Sequence, residues 1–270
     1  MNTLLRTTRT LLVIAFAVPY LGLFNPAHAE DPAEKGLRIA REMERRDEGW
    51  ETQTANITMI LFNKQGESTV RKMRSKALEV MDDGDKSLLI FDSPLDVKDT
   101  VFLNVAHKFQ DDDQWIYLPA LKRVKRIASS SKGGSFMGSE FSYEDMSSPI
   151  VEKFNYTYLR DETYQGRPVF VVERIPKDPY SLYSKEIAWV DQEHYIPWQI
   201  EYYDRSGGLL KTELFRKYKR HLNRFWRAGE VEMTNHQTGK KTVLVSENFT
   251  FKSKNVNETD FTSGALDKIR

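Results

Sequence analysis

Four histidines follow residue 30, at His107, His194, His221 and His236. None lies within four residues of another, so the helical pair that would grip a metal is missing and each reads as a surface or internally satisfied side chain. Cysteine is absent from the 270 residues, which removes thiol nucleophiles, cysteine zinc sites, redox pairs and disulfides. Asp111, Asp112 and Asp113 are hard oxygen ligands, but they lack the alternating spacing and downstream glutamate of a calcium loop, and a solvated hairpin fits better. Ser129 and Lys132 have the S-x-x-K spacing of penicillin-recognising hydrolases. Here three serines run into Lys-Gly-Gly and no K-T-G follows, so a catalytic pair is not supported. The glycines at 133–138 lack the Lys-Ser/Thr of a phosphate loop. No catalytic residue, metal site or cofactor is expected.

What remains is charge and aromatic surface. Lys122, Arg123, Lys125 and Arg126, with Lys132, lie in a stretch without acidic residues from Gln114 to Ser139. A formal charge of +1 gives no global field for nucleic acid. A lipid head group or an acidic protein surface suits these cations better, and a solvated strand face suits them equally. Trp50, Trp115, Trp189, Trp198 and Trp226 are spread among many Tyr and Phe. Such rings can fill a core or line a cavity.

The elements that must hold these residues are mostly strands. Residues 1–29 have basic Arg6 and Arg9, an apolar run from Leu11 to Phe24 and Ala27-His28-Ala29, the three parts of a secretory signal. Removing it leaves a chain at −1 starting at Glu30. No cysteine is available for lipidation, so a soluble exported product is expected. One helix is predicted from Pro32 to Arg46, capped by Asp31, with Ala33, Leu37, Ala40 and Met43 or Glu44 on its apolar stripe. Beyond Gly49 short β-branched and aromatic runs alternate with period two. They are separated by turns at Asn63–Gly66, Asp82–Asp85, Asp111–Asp113, Asp204–Gly208 and Asn235–Lys240. Short connections give antiparallel neighbours, no repeat of fixed length appears, and no linker divides residues 30–270. The reading is one mainly β domain with minor α: a large curved antiparallel sheet or open barrel. Residues 128–149 are a mobile loop by composition.

A resemblance rests on particular residues. Asp113-Gln114-Trp115-Ile116-Tyr117-Leu118-Pro119-Ala120-Leu121-Lys122-Arg123-Val124 continues through Arg126-Ile127 and Ser135-Phe136-Met137-Gly138-Ser139-Glu140-Phe141 to Ser142-Tyr143-Glu144-Asp145-Met146. Together with Arg74-Ser75-Lys76 and Pro94-Leu95-Asp96-Val97-Lys98, this resembles the LolA-like outer-membrane lipoprotein-sorting family, in its longer, transporter-associated form. The family pattern has glycine where this chain has Asp99. The resemblance implies an incomplete β-barrel with a helical lid. It implies a periplasmic carrier, not an enzyme, that shields the acyl chains of lipoproteins or other lipids between the inner and outer membranes. An inner-membrane transporter of the resistance-nodulation-division type and an outer-membrane acceptor would be its partners. The carrier members keep an arginine that holds the lid closed, and no residue here is matched to it. The alternative is a periplasmic adaptor that docks on the transporter and binds no lipid. Within the carrier reading, strand parity nominates Ile57, Met59, Leu61, Trp115, Tyr117, Trp189 and Trp198 for the cavity, and the basic group Lys122, Arg123, Lys125 and Arg126 for a partner or head group. A register error of one residue would exchange the faces.

Overall fold

The computed structural model describes residues 30–269, and the expected signal at residues 1–29 lies outside them. Helix α1 (Pro32–Asp47) starts where Asp31 accepts a 2.8 Å hydrogen bond from the Ala33 amide, with Pro32 in the first turn. No helix among the described residues is long and apolar enough to cross a membrane.

Six strands then form a meander: β1 (Thr52–Phe62), β2 (Ser68–Leu78), β3 (Lys86–Ser93), β4 (Val101–Val105), β5 (Asp113–Leu118) and β6 (Arg123–Ile127). A second run follows: β7 (Phe154–Tyr164), β8 (Arg167–Pro176), β9 (Tyr183–Asp191), β10 (Pro197–Asp204) and β11 (Leu209–Arg216). After a small two-stranded ribbon, β12 (Lys219–His221) and β13 (Phe225–Arg227), the run ends in β14 (Glu230–Asn235) and β15 (Lys241–Phe251). The 13-stranded sheet has the order β6-β5-β4-β3-β2-β1-β15-β14-β11-β10-β9-β8-β7. Every neighbouring pair is antiparallel. The two runs are joined by pairing of the first strand with the last, and β6 and β7 remain unpaired edges. The barrel is therefore open. The turn signals between strands hold: Asn63 Oδ1 accepts from the Gln65 and Glu67 amides, and Asp204 Oδ1 from the Ser206 and Gly208 amides.

One face of the sheet carries the principal core. Ile57, Met59 and Leu61 share it with Phe91, Phe102 and Ile116 from the first run and with Val172, Ala188, Val190 and Ile200 from the second. Much of its filling comes from residues 128–149. Composition predicts a mobile loop there; instead it is a packed plug of short 3₁₀ turns. Phe136 and Phe141 are buried against Phe91 and Phe102. Serines and glycines give the segment a loop's composition, but they serve as turn residues between aromatic anchors. The plug lies between the two edge strands in sequence, so the chain that must cross the gap also fills the interior.

On the opposite face, Leu88, Ile90, Val101 and Leu103 are covered by the C-terminal segment through Phe261 and Leu266. Asp99 has φ +63°, in the left-handed region where glycine is unstrained. Aspartate tolerates this conformation, and the turn is closed by the Asp99 amide donating to the Phe91 carbonyl at 2.8 Å.

Helix α1 packs mainly on β7. Its buried stripe is Gly36, Ile39 and Ala40, with Met43 partly buried. Ala33, expected in the stripe, is exposed. The face is rotated because contact is made by the backbone at Gly36, where an added Cβ would lie 2.8 Å from the Tyr158 amide nitrogen.

Candidate functional site

Between α1 and the second run of strands is a cavity of about 1760 Å³, beyond the roughly 300–1,000 Å³ of most small-molecule sites. One wall is apolar: Ile39 and Met43 of α1 face Val172, Ala188, Val190, Ile200, Phe215 and Val231 of the sheet. Trp50 and Trp226 also line it. At the rim Phe109 is 87% exposed and Met81 is 58% exposed. Large apolar side chains thus stand in water at the mouth of a cavity with an apolar wall, the kind of exposed patch that marks an interaction site.

The floor is polar. Arg174 (β8) donates to Glu186 (β9) at 2.6 Å, and Lys211 (β11) donates to Asp145 of the plug and to the Tyr183 hydroxyl, both at 3.0 Å. Tyr183 in turn donates to the other oxygen of Asp145 at 2.5 Å. Tyr202 (β10) donates to Glu213 (β11) at 2.6 Å. Burial opposes the charge of Arg174, but Glu186 outweighs it and holds the guanidinium protonated. Burial, helped by the negative charges of Asp145 and Glu186, raises Glu213 to about 7 against the pull of the Tyr202 hydrogen bond. The expected apolar concavity is therefore apolar on one wall and ionised on its floor.

None of the seven residues nominated by parity lines this cavity. Ile57, Met59 and Leu61 do face the concave side, but Met59 is fully buried in the filled part of the core, with Ile57 and Leu61 packed beside it. Trp115 and Tyr117 are on the opposite face, packed with Leu103 and the C-terminal segment, while Gln114 and Ile116 point inward. Trp189 is also on the outer face, beside Val169 and Val171. The parity of β9 was inverted because its inward positions are Glu186, Ala188 and Val190, and the first of these is charged. Trp198 has the same parity as inward Ile200, yet it packs outside because β10 carries a bulge between Pro197 and Gln199. The two tryptophans at the cavity come from outside the large sheet, Trp50 just before β1 and Trp226 in β13 of the small ribbon.

Lys122, Arg123, Lys125 and Arg126 form the exposed β5–β6 hairpin, with Lys122 at φ +51° in its turn. Within this group and among the described residues, only Arg126 has an ion-pair partner, Asp113. Lys132 lies elsewhere, held by Asp178 and by Glu144 at 3.4 Å. Burial lowers its affinity for a proton, but these carboxylates more than offset that and raise it, so Lys132 is an ammonium and not a base for Ser129. Asp112 takes Lys153 and the His107 amide. Each histidine has its own neighbour: His107 pairs with Asp83, His194 stacks on Trp226, His221 lies against Phe249 and Phe251, and His236 meets Thr212.

The sequence reading missed Arg174, Glu186, Lys211 and Glu213. Lys211 and Glu213 stand two apart on one strand and so share its face, which is a legible signal. Charges in strands ordinarily face solvent, which hides the signal.

A family model described as an uncharacterized protein matches residues 83–268. No curated protein matches the chain. Among solved structures, the chain is similar to an outer membrane lipoprotein-sorting protein domain from Vibrio parahaemolyticus, with 53% identity and a TM-score of 0.85 over 87% of this chain and 99% of that one. It is also similar to a DUF1329 family protein from Desulfovibrio piger, at 28% identity and TM-score 0.82 over 87% and 99% of the two chains. A LolA superfamily protein from Nitrosomonas europaea shares the fold at 18% identity and TM-score 0.67, over 86% and 97%. With its open antiparallel barrel, one α-helix among the described residues and this likeness across nearly the whole of a sorting domain, the chain belongs to the LolA-like outer-membrane lipoprotein-sorting family.

Proposed function

We propose that this chain is a non-enzymatic, soluble carrier of the periplasm that holds the acyl chain of a lipoprotein or another lipid and moves it between the inner and outer membranes. The observation that carries the reading is the cavity of about 1760 Å³ between α1 and the sheet, apolar along one wall and open at a rim where Phe109 and Met81 stand in water. Each methylene removed from water contributes about 0.8 kcal/mol. Ten of them give ~8 kcal/mol, a micromolar dissociation constant before ordering costs. That is tight enough to carry a lipid and loose enough to release it. Helix α1, held by a short apolar stripe, is the element that would open. Native mass spectrometry after gentle purification, with displacement of a fluorescent fatty acid, tests the reading. Bound or displaceable lipid is expected, and no lipid under any condition would overturn it.

The runner-up, an adaptor that contacts a transporter without lipid, draws on the hairpin cations Lys122, Arg123 and Lys125, which have no ion-pair partner among the described residues. In the carrier reading the same hairpin is a docking surface for an acidic partner or for lipid head groups. Crosslinks from Lys125 to a membrane protein, combined with failure of every lipid to bind, would favour the adaptor.

A further inference from the structure

The cavity floor brings together three carboxylates, Asp145, Glu186 and Glu213, and one cation, Arg174, while a second cation, Lys211, is buried behind the lining against Asp145. The cations are already committed, Arg174 to Glu186 at 2.6 Å and Lys211 to Asp145 at 3.0 Å. Glu213 is the carboxylate left over. Its Oε2 accepts from the Tyr202 hydroxyl at 2.6 Å, while its Oε1 has no hydrogen-bond partner among the described residues, and the residue lines the cavity. Around it are phenol rings: Tyr202 lies against Tyr183 with ring centroids 4.7 Å apart, and Tyr156 and Tyr218 also line the space. Tyr218 is close enough that the charge of Glu213 adds to the effect of burial in raising its phenol.

A carboxylate with no ion-pair partner among the described residues, beside phenol rings in a cavity with an apolar wall, has the chemistry that recognises a positively charged nitrogen. An acidic head group placed there would meet a like charge in a poorly screened site. We propose, resting on the carrier reading above, that the floor around Glu213 is a binding site for an ammonium group, so that the ligand is an amphiphile with a cationic nitrogen and not an acid. The apolar wall takes the chain and the floor takes the nitrogen. The charge of Arg174 does reach Glu213, but Asp145 and Glu186 act on it with the opposite sign, so three carboxylates against the two cations Arg174 and Lys211 leave the cluster negative when Glu213 is ionised. Burial leaves Glu213 titrating near neutrality, so the site is strongest on the alkaline side, where the carboxylate is ionised and an alkylammonium is still protonated.

Binding of dodecylamine, dodecanol and dodecanoate below their micelle-forming concentrations, measured by calorimetry on the intact protein at pH 8, tests the proposal. The expected order is amine, then alcohol, then acid, with the amine about tenfold tighter than the acid, or ~1.4 kcal/mol. Glu213→Gln should weaken the amine about fivefold and leave the alcohol within about twofold. Tyr202→Phe, which keeps the carboxylate, should retain the order. Should Glu213→Gln fail to fold, the wild-type protein reads the same group: the amine's advantage should shrink between pH 8 and pH 5.5 as Glu213 takes up a proton. Equal binding of all three ligands, tighter binding of the acid, or an advantage unmoved by both Glu213→Gln and acid would overturn the ammonium site while leaving the carrier reading intact. Failure of all three to bind would overturn both.

Discussion

Tyr202 and Glu213 meet across adjacent strands of the cavity floor, the tyrosine hydroxyl donating to the carboxylate at 2.6 Å. The bond does not offset the cost of enclosing the acid, because Glu213 is still raised from 4.5 to about 7, first by burial and then by the charge of Asp145. Between these values the folded chain binds a proton that the unfolded chain has released. Stability attributable to this group is unaffected below pH 4.5 and falls as the pH rises through 7. Glu213→Gln removes the ionisation, so the variant should match the wild type at pH 4.5 and exceed it by roughly 3 kcal/mol at pH 8. Asp85, raised to about 6 mainly by burial, has the same sign in both proteins and cancels in the comparison. Urea unfolding at the two pH values measures the difference, and a constant gap would assign the effect to packing.

Breaking the neighbouring ion pair should be far more damaging than removing it whole. Arg174 and Glu186 are enclosed together, with Glu186 only 4% exposed. Arg174→Met strands a buried carboxylate and should cost about 3–5 kcal/mol at pH 8, less at acid pH where Glu186 can protonate. The double variant Arg174→Met with Glu186→Leu replaces both charges by apolar volume and should recover most of that loss. A double-mutant cycle by chemical denaturation gives the coupling directly. Additive losses would mean that the two side chains are stabilised independently.

The plug separates core aromatics from those at the rim. Phe136 is fully buried and packs edge-on to Phe102, with ring centroids 5.0 Å apart. Phe136→Ala should cost about 3–5 kcal/mol through lost transfer energy and the space left behind. Phe109→Ala, at a side chain 87% exposed, should change stability by less than about 0.5 kcal/mol. If Phe109 guides lipid into the cavity, its removal should slow uptake of a fluorescent fatty acid in stopped-flow mixing without changing the melting temperature. An equal effect on stability from both variants would contradict the placement of the plug as core.

These contrasts explain what the sequence could and could not disclose. The open antiparallel sheet was legible because Asn63, Asp204 and Asn235 mark turns by side-chain chemistry that acts locally. The faces of β1 were legible because Ile57, Met59 and Leu61 alternate beyond the register shift at Thr54–Asn56, with none between them. The cavity was not, for two physical reasons. A bulge at Trp198 shifts parity without any distinctive residue to announce it. On β9 the inward face carries Glu186, so the rule that apolar residues point inward selects Trp189 and returns the wrong face. That rule fails where a site must hold charge, which is why the floor residues Arg174, Lys211 and Glu213 were the ones overlooked. The helix stripe was misjudged for a related reason: Gly36 is a contact made by the lack of a side chain.

That contact supplies the last prediction. Gly36 brings the backbone of α1 against β7, and a Cβ there would lie 2.8 Å from the Tyr158 nitrogen and 3.0 Å from two backbone atoms of Thr157. Backbone cannot rotate aside as a side chain can, so Gly36→Ala must lift the helix even though alanine is the better helix former by about 1 kcal/mol. The cost of overpacking is roughly 1–3 kcal/mol. It should fall on docking more than on the fold, because α1 packs mainly on β7, the edge strand of the sheet. Hydrogen exchange should therefore speed up across Pro32–Asp47 while β1 and β15 stay protected. If α1 is the lid of a carrier, the variant should release a bound fluorescent fatty acid faster than the wild type. Ile39→Ala, which loosens the same helix by removing apolar contact without a clash, should act in the same direction. Faster exchange with unchanged release in both variants would show that the cavity opens elsewhere than at α1.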